Sequence, residues 1–214
     1  IDPTADLSYS QVYYVAVLTT VEDISDNKMV ATNATFTTED KTPPTVTITP
    51  AHNSSNVSVK ANIAYDFDEP VRNTDNTPLD DTNVDDLIIL RDINKNGTNI
   101  AFDATINASK TQIKVVPGAD FNSLQYIYTE IGATVEDTSD NVIVPTYSRF
   151  RTVDATLPSV EILPADGSTG ILSNSNIILT FSEPMRLLSG NDLDDNNVDG
   201  LIVLRENNVN GNPI

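Results

Sequence analysis

No cysteine occurs among the 214 residues, tryptophan is absent, and His52 is the single histidine. Without cysteine there are no disulfides, thiolate metal sites or cysteine nucleophiles, so stability must come from packing or from hard cations held by oxygen. His52 lies in a turn-like stretch and becomes Asp166 where the sequence recurs, so a Ser-His-Asp triad would be unique to one copy. Carboxylates for glycoside hydrolysis are plentiful, but no insertion offers a cleft to hold a pair. The lack of tryptophan weakens any sugar platform built on stacked rings. These absences read as a protein that is not an enzyme.

Positive charge is also scarce. The chain has 31 Asp+Glu against 12 Lys+Arg, a net −19 that repels nucleic acid and anionic membranes and suits bound cations, a salty exterior or plain solubility. No apolar run approaches the roughly 18 residues of a membrane span, so this segment is not expected to insert, and no signal peptide is visible. Ile1 reads as lying in mid-domain. A hydrophobic content of 39% is enough for ordinary cores.

What is present is repetition. At an offset of 114 residues the chain matches itself without a gap, and residues 42–100 are identical to 156–214 at 27 of 59 positions. "TPPTVTITPA" returns as "TLPSVEILPA", "FDEPVR" as "FSEPMR", and "LDDTNVDDLIILRDINKNG" as "LDDNNVDGLIVLRENNVNG". Residues 1–41 match 115–155 in the same phase, with "TVEDISDN" against "TVEDTSDN". The expected organisation is the C-terminal part of one unit (1–41), a complete unit (42–155) and the N-terminal part of a third (156–214), a window on a tandem array.

Within a unit, "TVTITP", "NIAYDF", "DLIILR", "NIAFDATI", "TQIKVVP", "YIYTEIG" and "RFRTV" are short, β-branched or aromatic, and often alternate with period two. Turn signals separate them, which predicts an all-β sandwich. One helical turn is expected within "VPGADFNSL". The prolines of "TPPTV" predict a short, stiff joint between units. Tyr65, Tyr126, Tyr128 and Tyr147 are expected in the core or on strand faces.

Together, Thr42, Pro44, Val46, Pro50, Ala51, Phe67, Glu69 and Pro70, followed by the run from Ala108 to Asn141, resemble the bacterial SbsA-type Ig-like repeat of S-layer proteins, adhesins and other large cell-surface proteins. The chain departs from that pattern at Ser139-Asp140-Asn141, where the family has a small residue, Gly and Asn, and in its acidic insert between Arg72 and Leu87. The resemblance implies an Ig-like sandwich strung in series, with no catalytic residues to carry over.

Three acidic constellations are the candidate sites. Asp92-x-Asn94-x-Asn96-Gly97 has calcium-loop spacing, with Asp103 at the twelfth position, but it lies between strands, and Asn-Gly is a strong hairpin signal. The second copy keeps the frame at Glu206, Asn208, Asn210 and Gly211 without the charge. The hairpin is the stronger reading.

In the second constellation, Asp80, Asp81, Asn83 and Asp85 all recur as Asp194, Asp195, Asn197 and Asp199, and Glu69 recurs as Glu183. One reading makes Asp80 or Asp81 the cap of a short helical turn and pairs another of the acids with Arg72 or Arg91, which recur as Arg186 and Arg205. The other makes them oxygen ligands for calcium. The third set, Glu136, Asp137, Asp140 and Asn141, repeats Glu22, Asp23, Asp26 and Asn27, with Asp40 and Asp154 near the joints. It reads as an Asx-type turn or as a calcium site shared across a joint.

Lys28 becomes Val142 and Lys60 becomes Asn174, which argues against Lys-Asn isopeptide staples. Sequons at Asn33, Asn53, Asn56, Asn96 and Asn107 are no more than chance supplies.

The expected role is a structural module of a large extracellular repeat protein: a stalk, surface-layer component, filament or adhesin shaft stiffened by calcium. Its partners would be neighbouring repeats or copies of itself, including strand donation between chains. The alternatives are an adhesin-type module that recognises a glycan or protein, and an accessory domain of a secreted polysaccharide-active enzyme.

Overall fold

Alternation of apolar and polar residues turns directly into strands. In Gln112–Pro117, for example, Ile113 and Val115 are buried while Gln112 and Lys114 are exposed. The computed structural model describes residues 1–207 and 210–213 and divides into two units, Ile1–Ala155 and Thr156–Ile214.

The first unit begins with a hairpin of β1 (Val12–Val17) and β2 (Thr32–Thr37). Nine strands follow: β3 (Val46–Thr49), β4 (Ile63–Phe67), β5 (Arg72–Asn73), β6 (Ile88–Asp92), β7 (Phe102–Ile106), β8 (Gln112–Pro117), β9 (Tyr126–Ile131), β10 (Val135–Glu136) and β11 (Thr146–Arg151). They form a four-stranded sheet ordered β3-β4-β8-β7, a three-stranded sheet ordered β11-β9-β6, and the small pair β5-β10, all antiparallel. The second unit contains β12 (Val160–Leu163) paired with β13 (Ile178–Phe181).

The inner faces of the two larger sheets meet in one core. Ile63, Tyr65, Ile113 and Val115 come from the first sheet, and Leu90, Ile127, Ile131 and Phe150 from the second. Burying each such side chain contributes about 1.5–3 kcal/mol. The Tyr65 hydroxyl meets the Thr129 hydroxyl across the core, so neither buried polar group lacks a partner.

Strand pairing in the two flanking segments follows the central unit at the 114-residue offset. The pairing Val12↔Thr37 has its counterpart in Tyr126↔Arg151, and Val46↔Phe67 in Val160↔Phe181.

Two sequence expectations need correction. Residues 116–124 form no helical turn: the Gly118 N–H bonds the Ala101 carbonyl and the Phe121 N–H bonds that of Val59, so neighbouring segments take the donors a helix would use. A short helical turn does lie at Val84–Leu87, beside the acidic block, with Asn83 rather than Asp80 or Asp81 at its N-cap position. Finally, β11 begins at Thr146 rather than Arg149, because Thr146 to Ser148 also pair with β9.

The loop after β6 closes as a hairpin, with Asp92 and Thr98 joined by backbone hydrogen bonding and Arg91 bridged to Asn99. Its positive φ falls on Ile93, at 60°, rather than on the expected Asn96-Gly97. Glycine is required at 97 for a different reason: a Cβ there would lie 1.8 Å from the Asp92 carbonyl oxygen. In the second copy, Asn208 lies outside the described residues.

Candidate metal centre and acidic turns

The turn after β10 is organised by one side chain. Asp137, only 1% exposed, accepts hydrogen bonds from the backbone N–H groups of Ser139 (2.7 Å) and Asn141 (2.9 Å) through Oδ1, and from Asn141 Nδ2 (2.8 Å) through Oδ2. This is the Asx-type geometry expected of Asp-x-x-x-Asn, and Asp140 takes the left-handed conformation (φ 67°) that the turn needs. Asp23 repeats the arrangement with Ser25 and Asn27; its carboxyl is held below the ordinary aspartate value, chiefly by the Asn27 side chain.

Two further acids come to the buried one. Asn141 Nδ2 also reaches the Asp40 carbonyl (3.3 Å), bringing the end of the first segment onto the turn. Asp40 itself accepts from the Thr42 N–H (2.9 Å). Two residues past β4, Glu69 arrives from the opposite sheet, and Asp68 beside it grips Thr45 of the linker through both carboxylate oxygens at 2.8 Å.

Asp40, Glu69 and Asp137 thus each place a carboxylate oxygen within 4.8 Å of the others. Partial burial raises the Glu69 carboxyl above its ordinary value, and the charges of Asp137, Asp40 and Asp68 add to the effect. Three hard oxygens in such a corner match the ligand chemistry of calcium, with waters or carbonyls needed to complete six to eight positions.

Glu136 and Asp140 serve a different purpose. Arg72 binds Glu136 (3.1 Å) and Asp140 (2.6 Å), joining β5 to the turn. The reading that pairs the Asp80 block with Arg72 or Arg91 does not hold, because Arg72 lies on β5 opposite Glu136 and Arg91 on the outer face of β6.

The Asp80 block itself spreads its side chains over the backbone. Asp80 accepts from Thr82 N–H (2.8 Å), Asn83 Oδ1 accepts from Asp80 N–H (2.9 Å), and Asn83 Nδ2 donates to the Pro78 carbonyl (3.1 Å). Asp81 and Asp85 accept from the N–H groups of Ile106 (2.9 Å) and Ala104 (2.7 Å), on the open edge of β7. These contacts satisfy donors that a bare sheet edge would leave exposed. Glu69 does not join this block, and among the described residues only Asp40, Glu69 and Asp137 converge as three acids.

In the second unit, Asp194 and Asn197 repeat the bonds of Asp80 and Asn83, while Asp195 and Asp199 are exposed and Glu183 is half-buried. The sequence places Asp40 near the joint, but its retained block associates Glu69 with Asp80, Asp81, Asn83 and Asp85, which the fold keeps apart from it. The available signal was the joint recurrence of Asp40 as Asp154 and Glu69 as Glu183; it lacked the fold that brings the loop after β4 beside the turn after β10.

His52 plays a structural part: its Nδ1 accepts the Arg149 N–H (3.1 Å) and its ring packs edge-on against Tyr147.

No curated protein matches the chain. The bacterial Ig-like domain family matches residues 40–152, a span that includes β3 to β11 and all three acids of the cluster. Domains of this kind are common in bacterial cell-surface proteins. The match extends over more than half of the chain, which therefore belongs to the bacterial Ig-like domain family.

Proposed function

We propose that the chain is a structural segment of a large extracellular protein, built from tandem SbsA-type Ig-like sandwiches with a 114-residue period. It serves as a stalk, surface-layer component, filament or adhesin shaft. The observation that supports this is the constant offset: both flanking segments carry the strand pairings and turn hydrogen bonds of the central sandwich, 114 residues away. Residues 1–41, 42–155 and 156–214 are then parts of three successive units.

Stiffness is the property such a shaft needs, and the Asp40–Glu69–Asp137 corner is where a divalent ion would provide it. Asp40 belongs to the preceding unit, and Glu69 and Asp137 to the following one. An ion held by all three would resist bending at the linker and neutralise the repulsion that Glu69 experiences.

Thermal unfolding of the chain in millimolar calcium and in chelator tests the ion's part. A ligand that binds only the folded state stabilises by mass action, about 2.7 kcal/mol at a hundredfold excess over Kd. The expected result is a higher Tm in calcium, lost on replacing Asp137 by Asn. An unchanged Tm removes calcium from the proposal. Small-angle scattering then tests the shaft itself: three successive units built into the full-length protein must give an extended particle.

A further inference from the structure

The outer face of the three-stranded sheet is unlike the rest of this acidic molecule. Side chains pointing away from the core form a grid across β11, β9 and β6: Tyr147 lies opposite Glu130, Arg149 and Arg91 flank Tyr128 from either side, and Arg151 lies opposite Tyr126. Lys95 binds Glu130 at 2.8 Å, whereas Arg149 and Arg151 form no ion pair among the described residues, in a chain with 31 acids. Arg91 Nε is buried there without an acceptor.

The platform is held in place. Arg149 lies over the Tyr126 ring at 3.8 Å, and its Nε donates to the Ile93 carbonyl (2.6 Å). Ile93 adopts φ 60°, a conformation unfavourable for a β-branched residue, and its N–H bonds the Tyr126 carbonyl (2.8 Å). Backbone strain of this kind persists where the surroundings over-determine it. Tyr147 stacks on Tyr128 yet remains 52% exposed, and Tyr126 is 41% exposed.

The face is also particular to one unit. At the positions 114 residues earlier, Val12, Asn33, Thr35 and Thr37 replace Tyr126, Tyr147, Arg149 and Arg151. The shared architecture therefore does not require these side chains.

We infer that this face binds an acidic polysaccharide, with Arg149 and Arg151 receiving sugar carboxylates and Tyr147 packing against a sugar ring. Guanidinium forks without a carboxylate partner match carboxylates bidentately. Size argues for a linear chain rather than a protein: the grid measures about 14 Å along the strands by about 10 Å across them. A stable protein interface needs about 800 Å² on each partner. The net −19 acts against any polyanion at long range, but at physiological salt the Debye length is about 8 Å and the local cations decide the contact.

The test is affinity electrophoresis of the 214-residue chain through gels containing polygalacturonate, dextran or poly-L-glutamate, at 0.15 M salt with EDTA so that calcium cannot bridge. Polygalacturonate should retard the chain, dextran should not, and poly-L-glutamate should act at least tenfold more weakly. R149E/R151E should reduce the retardation at least tenfold and Y147A severalfold, with K60E, away from the face, unchanged. R149Q/R151Q provides a milder pair if the charge reversal prevents folding. Absence of retardation, equal retardation by poly-L-glutamate or dextran, or indifference to the arginine pair would each overturn the inference. Because EDTA is present throughout, none of these outcomes bears on calcium at the joint.

Discussion

Phe150 and Phe36 occupy the same place in the same hairpin, 114 residues apart, and their surroundings differ completely. Phe150 pairs with Ile127 and is 0% exposed; Phe36 pairs with Tyr13 and is 48% exposed. Ile48 and Ile162 show the same contrast at 7% and 50%. Strand pairing and turn hydrogen bonds are the same in both regions, so they are local properties of the sequence. Burial is not local: it needs the facing sheet, which the central unit supplies to β9 and β11 and which β1 and β2 do not have among the described residues.

Truncating that phenylalanine in each region breaks the comparison most directly. Phe150→Ala should cost about 3–5 kcal/mol, the loss expected when a large core side chain is removed from a close-packed site. Phe36→Ala should stay within about 1 kcal/mol, as half-exposed positions do. Urea unfolding followed by circular dichroism measures both. Equal losses would mean that Phe36 is buried in solution by something that completes its sandwich.

The aspartates of the two turns form the next pair. Asp137 and Asp23 make the same three hydrogen bonds, but Asp137 does so while almost fully buried. Asp137→Ala would leave the part-buried donors of the turn without their acceptor, at about 1–3 kcal/mol in all. Asp23→Ala lets water replace the carboxylate and should cost less than about 1 kcal/mol. The same unfolding experiment separates them, and hydrogen exchange at Asn141 and Asn27 should show which turn opens.

This contrast also explains how much of the molecule was legible beforehand. Strands were readable because β-branched residues, period-two alternation and Asn-, Gly- or Pro-rich turns are local signals, and the sandwich followed from their number. The cluster was only half readable. Asp137 carries its turn within five residues, so the sequence contains it. Glu69 meets Asp137 only because β4 and β10 end at the same corner, a contact 68 residues apart for which no local pattern exists. The Asp80 block misled for a related reason: its retention between copies reflects a job at the β7 edge, and a run of carboxylates looks the same whether it serves a metal or backbone N–H groups. Ile93 was illegible altogether, since nothing in "RDINKNG" announces a left-handed isoleucine when Asn-Gly stands three residues on.

The smallest effect belongs to Glu69, whose sign can be derived. In the folded chain its carboxyl titrates above the ordinary glutamate value, because burial and the charges of Asp137, Asp40 and Asp68 disfavour the anion. Between the unfolded and folded values the native state binds more protons, so this group's contribution to stability falls as pH rises through that window. At neutral pH without calcium, Glu69 is therefore a net liability, and Glu69→Gln should raise Tm by about 2 °C. Below the ordinary glutamate range both side chains are neutral and the difference should close. In millimolar calcium the order should invert, because glutamine keeps one oxygen but loses the charge that holds the ion. Melting curves of the two proteins across that pH range, with and without chelator, decide the matter: a Gln variant that is less stable in chelator contradicts the repulsive corner, and one that gains as much from calcium as the native chain removes Glu69 from the ligand set.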